Sequence, residues 1–473
     1  MTTNKATSPS PTAHLSPEEK RLLLAKLLQK RARQQADSSQ LPQPALRAEE
    51  STRPKRLGAF DRFAVPSTEL EAEAVLDLSI YPDGHAFNPE TEPTQLRHVF
   101  LTGATGFLGS FLLHQLLETT AADVYCLVRG GNAAAAKQRI LALFDTYGLG
   151  NGHDSSRIIA VPGDLSQPLL GLPPEQFQML ADKIDTIYHS GAMVNWIASY
   201  EQLKPANVLG TQEILRLASQ SRLKPLHYVS TLAVFPIVRN SEASVVREED
   251  GLDHGGLLRG GYTQSKWVAE KLVATARTRG LPINVYRPGM ITGHSQTGSW
   301  NTADFTCQMI KSWIRTGYVP DLDARMDMTP VDYVSQAIVY LSRLEQPLGQ
   351  VFHLANPQPP DVQELYQWMR SFGYRLKLLP YDQWRSTLLN LAERSSLRPE
   401  ARAVHSLAPL LAANDSEGAS QWVGGVPRFD SANTLRELAG TSIACARVDE
   451  QLLRTYFSYL VGCGFLEAPP TES

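Results

Sequence analysis

Residues 99–117, VFLTGATGFLGSFLLHQLL, constrain the fold of this chain more than any other stretch. A short apolar run (Val99, Phe100, Leu101) gives way to glycines spaced G-x-x-G-x-x-G at Gly103, Gly106 and Gly109. Phe111, Leu112, Leu116 and Leu117 then follow at helical spacing. This order predicts a buried strand, a tight turn and a helix start. Gly103 would let the chain turn sharply off the strand, Gly106 would let backbone N–H groups approach a pyrophosphate, and Gly109 would let the helix pack closely on the sheet. Thr105, Phe107 and Leu108 complete the turn. A pyrophosphate placed there meets unpaired N–H groups and the positive end of the helix dipole.

The rest of the chain is compatible with that unit. Its 473 residues suffice for two or three domains, and 42% hydrophobic content is ordinary for a globular protein. A net charge of −3 carries no signature of nucleic-acid or membrane binding. Four scattered cysteines (Cys126, Cys307, Cys445, Cys463), with no C-x-x-C and no His/Cys cluster, argue against a disulfide framework or structural zinc. No apolar run reaches membrane-spanning length and the first residues are polar, so a cytoplasmic protein with no metal is expected.

Residues 1–57 are expected to be a disordered start followed by an amphipathic helix and a polar linker. Ser16 and Glu19 form an S-x-x-E capping box with Pro17 at the first helical position, and Leu23, Leu24, Leu27 and Leu28 form an apolar stripe. The segment from Ser16 to Arg33 either packs on its own protein or docks to a larger assembly. Ten basic against five acidic residues between Glu18 and Arg56 would favour an acidic partner. Residues 58–95 are expected to connect, 96–290 to form a dinucleotide-binding domain, and 291–473 a largely helical substrate subdomain from which 329–356 returns to the sheet.

From Arg97 onward strands and helices alternate, which predicts an α/β fold with a Rossmann-type, doubly wound parallel sheet. The second strand, 123–128, ends in Arg129 where an NAD enzyme usually places an acidic residue on the adenosine ribose. A carboxylate would repel a 2′-phosphate and a guanidinium can bind it with two hydrogen bonds, so NADPH is expected. Arg139 is either a second phosphate ligand or a solvated helix residue. Asp164 and Leu165 follow the third strand, where the adenine edge would lie. Ser190, Gly191 and Ala192 follow the fourth and leave room for the cofactor to cross the sheet. Asn207 reads equally as a buried anchor or a helix cap.

The fifth strand, 226–229, delivers Ser230 and Thr231 at its C-terminal end, and GGYTQSKWVAEKLV follows with Tyr262 and Lys266 at Y-x-x-x-K spacing. Residues four apart share a helix face, so phenol and ammonium would point at one cofactor. Bringing a phenol to neutrality takes about 4 kcal/mol of electrostatic help. A second Y-x-x-x-K, Tyr200 to Lys204, is read as a decoy whose helix Pro205 interrupts. Thr231 is preferred to Ser230 as the hydroxyl partner. Pro288 and Gly289 end the sixth strand and would set backbone groups against the nicotinamide carboxamide.

TGATGFLG, CLVRG, HYVSTLAVF, GYTQSKWVAE and VYRPG together resemble the extended short-chain dehydrogenase/reductases. They are most similar to the thioester reductase domains that end non-ribosomal peptide and polyketide synthetases and form part of carboxylic acid reductases. The similarity covers residues 97 to about 391. It implies Thr231, Tyr262 and Lys266 as catalytic residues, NADPH on Gly103, Gly106, Gly109 and Arg129, and a C-terminal cap forming a channel for a phosphopantetheine arm. SGA at 190–192 departs from the Asn-containing version common in relatives. LSPEEKRLLLAKLLQKRA is similar to linkers between synthetase modules, and with no adenylation or carrier region seen, an acyl or peptidyl carrier protein on another chain is the expected partner. The implied reaction is NADPH-dependent release of the carried chain as an aldehyde, with reduction on to the alcohol left open. The alternatives are a fatty acyl-CoA or other extended reductase, or a non-catalytic NADP-binding protein.

Overall fold

A computed structural model of the chain describes residues 67–82 and 96–470, apart from 151, 153, 237–244, 254–257, 259, 345–347, 395–406, 408–410 and 412–427. The expected helix between Ser16 and Arg33 lies outside the described residues.

Short runs rich in Val, Ile, Leu and aromatics form seven parallel strands: β1 (His98–Thr102), β2 (Asp123–Val128), β3 (Ile158–Pro162), β4 (Thr186–His189), β5 (Leu226–Val229), β7 (Ile283–Pro288) and β11 (Val351–Leu354). Their spatial order is β11-β7-β5-β4-β1-β2-β3. The runs lack polar alternation because both faces are covered. Phe100, Tyr125, Ile187, Tyr228 and Val285 enter one core layer, and Val99, Leu101, Val124, Tyr188 and Tyr286 the other. The first layer is closed by α4 (Pro174–Lys183), α6 (Gly210–Ser219) and α7 (Gly261–Thr278), and the second by α2 (Phe107–Thr119), α3 (Ala133–Tyr147) and α9 (Val331–Leu341).

The chain runs outward through β1, β2 and β3, then returns to the other side of β1 with β4, β5 and β7. The connections diverge between β1 and β4, and a crevice opens there at the strand C-termini. This is the expected doubly wound architecture.

A third core, built on Trp300, Trp313, Trp384 and Tyr456, belongs to a mainly helical lobe of α8 (Phe305–Thr316), α10 (Val362–Ser371), α11 (Tyr381–Arg394) and α13 (Glu450–Gly462). Small parallel pairs stitch it together: β8 (Met290–Thr292) with β10 (Met328–Pro330), and β9 (Tyr318–Asp321) with β12 (Lys377–Pro380).

Two segments depart from the sequence-derived division. Part of 58–95, expected only to connect, is packed: α1 (Ser67–Glu73) buries Leu70 in the first layer, and Arg279 donates hydrogen bonds to the carbonyls of Leu76, Asp77 and Ile80. Residues 428–438 also leave the C-terminal lobe: β13 (Arg428–Phe429) pairs with β6 (Val245–Val246), and Leu438 of α12 (Ala432–Leu438) joins the second layer. Buried Glu248 accepts from the N–H groups of His353, Asn433 and Thr434 and from the Thr434 hydroxyl, tying this return to β11. That tie spans 186 residues of sequence and has no local signature.

Candidate active site

The glycine turn forms the crevice floor at the end of β1. Gly103 adopts φ +81°, open mainly to glycine, and the Gly106 N–H donates to its carbonyl at 2.7 Å. A Cβ on Gly103 would lie 2.8 Å from the Gly191 nitrogen, one on Gly109 1.9 Å from the Gly103 oxygen, and one on Gly191 2.8 Å from Thr102 Oγ1. Gly106 begins α2 with no side chain to cap it, so the first-turn N–H groups face the crevice. Thr105 and Phe107 are half-buried and Gly106 is exposed, whereas the Leu108 side chain belongs to the core, leaving Leu108 only its backbone to offer a ligand. A Cβ-free cradle against an uncapped helix start fits a dinucleotide pyrophosphate.

At the end of β2 the Arg129 side chain is exposed. Arg139 donates to the Arg129 carbonyl, so it braces the loop from α3. The Asp164 carboxylate accepts from the N–H and hydroxyl of Ser166, at 2.9 and 2.8 Å, while Leu165 lies where a Cβ on Gly210 would strike it. Ser190 and Ala192 are half-buried, on either side of Gly191.

Thr231, Tyr262 and Lys266 come together at the C-terminal end of β5. Thr231 begins a short 3-10 turn, its oxygen accepting from the Ala233 N–H at 3.2 Å, and its side chain hydrogen-bonds the Tyr262 phenol. Gly261 sets the start of α7 against residues 198–200, where a Cβ would come within 2.4 Å of Tyr200 N. Lys266, one turn along, donates from Nζ to the Val229 carbonyl at 2.8 Å and lies 4.4 Å from the Tyr228 ring centre. Burial sets the electrostatics. It pushes Tyr262 up to about 12, against the lowering hydrogen bond from Thr231, and pulls Lys266 down to about 7, against the raising charge of Glu270. The sequence led to the expectation of a phenol brought down toward neutrality. The observed direction is opposite because desolvation outweighs the neighbouring groups.

Ser230 is separated from Thr231 by its partner. Its hydroxyl donates to Glu270, whose other oxygen forms a bidentate ion pair with Arg287, at 2.9 Å from Nε and 2.6 Å from Nη2, both side chains buried. The alternative Y-x-x-x-K is accounted for elsewhere: Lys204 pairs with Glu73 at 2.7 Å and the Tyr200 hydroxyl faces the same carboxylate. The helix was expected to stop at Pro205 and does not. From α5 (Tyr200–Lys204) it widens into a π turn over 205–209 and continues into α6.

That widened turn carries Asn207, a buried anchor. Its side chain accepts from the Met193 N–H at 2.7 Å and donates to the Met193 carbonyl at 3.1 Å and to Ser265 Oγ at 2.9 Å. Beside it runs a directed chain that the sequence did not reveal. The Gly191 N–H donates to Thr102 Oγ1, which bonds His189 Nδ1 at 2.7 Å. His189 Nε2 bonds Thr211 Oγ1 at 3.0 Å, and Thr211 donates to the Asn207 carbonyl. Because Thr211 uses its proton on Asn207, His189 carries its own on Nε2 and accepts at Nδ1. Burial lowers His189 to about 3, keeping it neutral. The available signal was a histidine ending an otherwise apolar strand, TIYH.

Pro288 and Gly289 end β7 as expected, but the Gly289 N–H donates to the Leu354 carbonyl at 3.1 Å. Pro288 has no N–H, so only their carbonyls could meet a ligand. Buried Asp327, raised to about 6 by desolvation, lies against the Gly289 Cα and accepts from the Thr329 hydroxyl and the Asn356 N–H. Among the described residues no cluster of His, Cys, Asp or Glu is placed to hold a metal, and no helix is long and apolar enough to cross a membrane.

A glycine cradle at a topological switch point, with a hydroxyl, a phenol and an ammonium at the neighbouring strand end, defines an oxidoreductase of the extended short-chain type that uses a nicotinamide dinucleotide. The chain belongs to the NAD-binding family whose profile, described as "Male sterility protein", matches residues 101–338, and within it to the reductase domains of non-ribosomal peptide synthetases. The terminal R domain from the myxalamid PKS-NRPS biosynthetic pathway is 48% identical, with a TM-score of 0.79 over 85% of this chain and 100% of that one. A linear gramicidin synthase from Brevibacillus parabrevis is 38% identical over 403 residues, 85% of this chain and 8% of that protein. Isonitrile lipopeptide synthase of Streptomyces coeruleorubidus is 39% identical over 415 residues, 86% of this chain and 27% of that protein. The chain thus spans less than a third of the length of these curated relatives.

Proposed function

We propose that this chain reduces an acyl or peptidyl thioester, presented on the phosphopantetheine arm of a carrier protein, with NADPH as reductant, and releases the chain as an aldehyde. The observation that carries the reading is the Tyr262 phenol, hydrogen-bonded to Thr231 and one helical turn from Lys266, beside the glycine cradle. When bound, the reduced nicotinamide supplies the hydride. Tyr262, protonated at neutral pH, donates to the carbonyl oxygen as charge develops on it, and Thr231 hydrogen-bonds the same oxygen. Lys266 steadies the resulting phenolate and holds the nicotinamide ribose. The thiohemiacetal then breaks its C–S bond, giving aldehyde and free carrier thiol.

In this reading Gly103, Thr105, Gly106, Phe107, Leu108 and Gly109 hold the pyrophosphate through the turn, and Arg129 takes the 2′-phosphate, with Arg139 bracing its loop. Asp164 and Leu165 border the adenine, Ser190, Gly191 and Ala192 line the passage across the sheet, and the Pro288 and Gly289 carbonyls accept from the carboxamide. The choice of NADPH rests on a guanidinium where an NAD enzyme would carry a carboxylate. The carrier partner rests on what the similar proteins are named for, and the segment between Ser16 and Arg33 is proposed to dock to a synthetase module.

The test is incubation with NADPH and a short acyl-pantetheine thioester, following NADPH absorbance and product mass. Aldehyde or alcohol with stoichiometric thiol is expected, and Tyr262→Phe should lower turnover at least about a hundredfold. NADPH binding without oxidation by any acyl thioester, carrier-bound or CoA-bound, would overturn the reading.

A further inference from the structure

The segment between β4 and α5, residues 193–197 (MVNWI), is apolar, rigidly held and turned outward. Val194 is 63% exposed, Ile197 62% and Met193 39%, although they stand beside the catalytic constellation. The Trp196 ring meets the Tyr262 ring edge-on at 4.9 Å between centres. Isolated exposed apolar residues need no explanation, but three within five residues at the mouth of a site do.

The backbone here is fixed. Asn207 grips Met193 at both its N–H and its carbonyl, and Asn195 Oδ1 accepts from the N–H groups of Ile197 and Ala198 at 3.0 and 3.1 Å. Ser199 and Gln202 then close a capping box at the start of α5. These bonds engage the side-chain oxygens of Asn195, Ser199 and Asn207 within the protein. There is no acidic or basic residue between Asp185 and Glu201 other than histidine. Such a surface suits hydrocarbon. A pantetheine arm, with two amides, would ask for acceptors that are already engaged, and an acidic carrier surface would ask for charge that is not there.

We infer that residues 193–197 form the seat for the acyl chain of the thioester: an uncharged hydrocarbon tail runs from the carbonyl at Tyr262 past Trp196 onto Met193, Val194 and Ile197. The inference rests on the proposed thioester reduction and adds to it a determinant of chain-length preference. A decanoyl tail reaches the outer residues of the seat and an acetyl group does not, so contact with Val194 and Ile197 is gained only by the longer substrate.

Two measurements test this on the full chain. With acyl-pantetheine thioesters, the ratio of kcat/KM for decanoyl over acetyl should fall about tenfold in Val194→Asp and in Ile197→Asp. Leu435→Asp, a similarly exposed apolar position on α12, should leave the ratio as in the parent chain. In parallel, binding of S-decyl pantetheine, a thioether with no reducible carbonyl, is followed by tryptophan fluorescence and should weaken about tenfold in both seat variants. A ratio and a thioether affinity unchanged by both substitutions, or equal losses on acetyl and decanoyl substrates, would overturn the seat. Should the parent chain reduce no thioester, the proposed function fails, and the thioether affinities still decide the seat.

Discussion

Glu270→Gln tests whether the buried ion pair behind Thr231 is only structural. Glu270 meets Arg287 through two hydrogen bonds, receives the Ser230 hydroxyl and is the charge that favours the ammonium form of Lys266. His353 gives Arg287 no charge compensation: it stays neutral, lowered to about 3 by burial, with its Nδ1–H on the Asp430 carbonyl and its Nε2 lone pair toward Arg287 at 3.1 Å. Removing the carboxylate charge therefore leaves a buried guanidinium without its anion. Breaking such a pair costs about 3–5 kcal/mol, and the amide keeps part of the hydrogen bonding, so about 3 kcal/mol is expected. With an unfolding entropy of roughly 2.1 cal/mol/K per residue and roughly 400 ordered residues, Tm should fall by about 4 °C.

The same substitution acts on the pH profile. Lys266 is lowered to about 7 in the folded chain, so activity that needs its ammonium is full on the acid side and lost as pH rises through that value. Without Glu270 the lysine moves lower still, and the alkaline limb of kcat/KM should shift toward acid. Thermal melts and NADPH oxidation across a pH range bracketing neutrality check both effects. A Tm within about 1 °C of the parent chain together with a superimposable pH profile would refute the argument.

Gly109→Ala should abolish NADPH binding, read by nucleotide fluorescence, or prevent folding, because its Cβ would lie 1.9 Å from the backbone oxygen of Gly103. Arg129→Ala should raise the Kd for NADPH about tenfold to a hundredfold and leave that for NADH within about twofold, since only the 2′-phosphate distinguishes them. Asn207→Ala strands the two backbone groups of Met193 and removes a partner of Ser265, and should cost about 2–3 kcal/mol in chemical denaturation. It should also lower kcat more than it raises KM.

What was legible in the sequence was what is local. Glycine spacing, strand hydrophobicity and Y-x-x-x-K each lie within one element or turn, and each predicted an element that forms. The division of the last third was less legible, because 428–438 is recruited to the sheet by the buried Glu248 carboxylate far upstream. The polar supports were hidden for the same reason. His189 and Thr102 are 87 residues apart, and Glu248 and Thr434 are 186 apart. Asn207 was singled out, but an anchor could be told from a cap only once the π turn aimed it at Met193 rather than at the helix N-terminus. At Pro205 the expectation of a break failed because a π turn absorbs the missing N–H without ending the helix.

The direction in which Tyr262 is displaced bears on the direction of the chemistry. A phenol that must abstract a proton is helped by a lowered value, whereas one that must give a proton is required only to hold it until charge develops opposite. Burial keeps Tyr262 at about 12, fully protonated at neutral pH, while Lys266 at about 7 is readily charged. The pair is thus set to donate before the reaction and to compensate the phenolate after it, the order that hydride delivery to a carbonyl requires. Oxidation of an alcohol by the same site would start from the wrong protonation state and should become competitive only as pH rises. If the alcohol-oxidation rate with NADP+ at neutral pH equalled the reduction rate under matched saturation, this assignment of roles to Tyr262 and Lys266 would be wrong even with the fold and cradle as described.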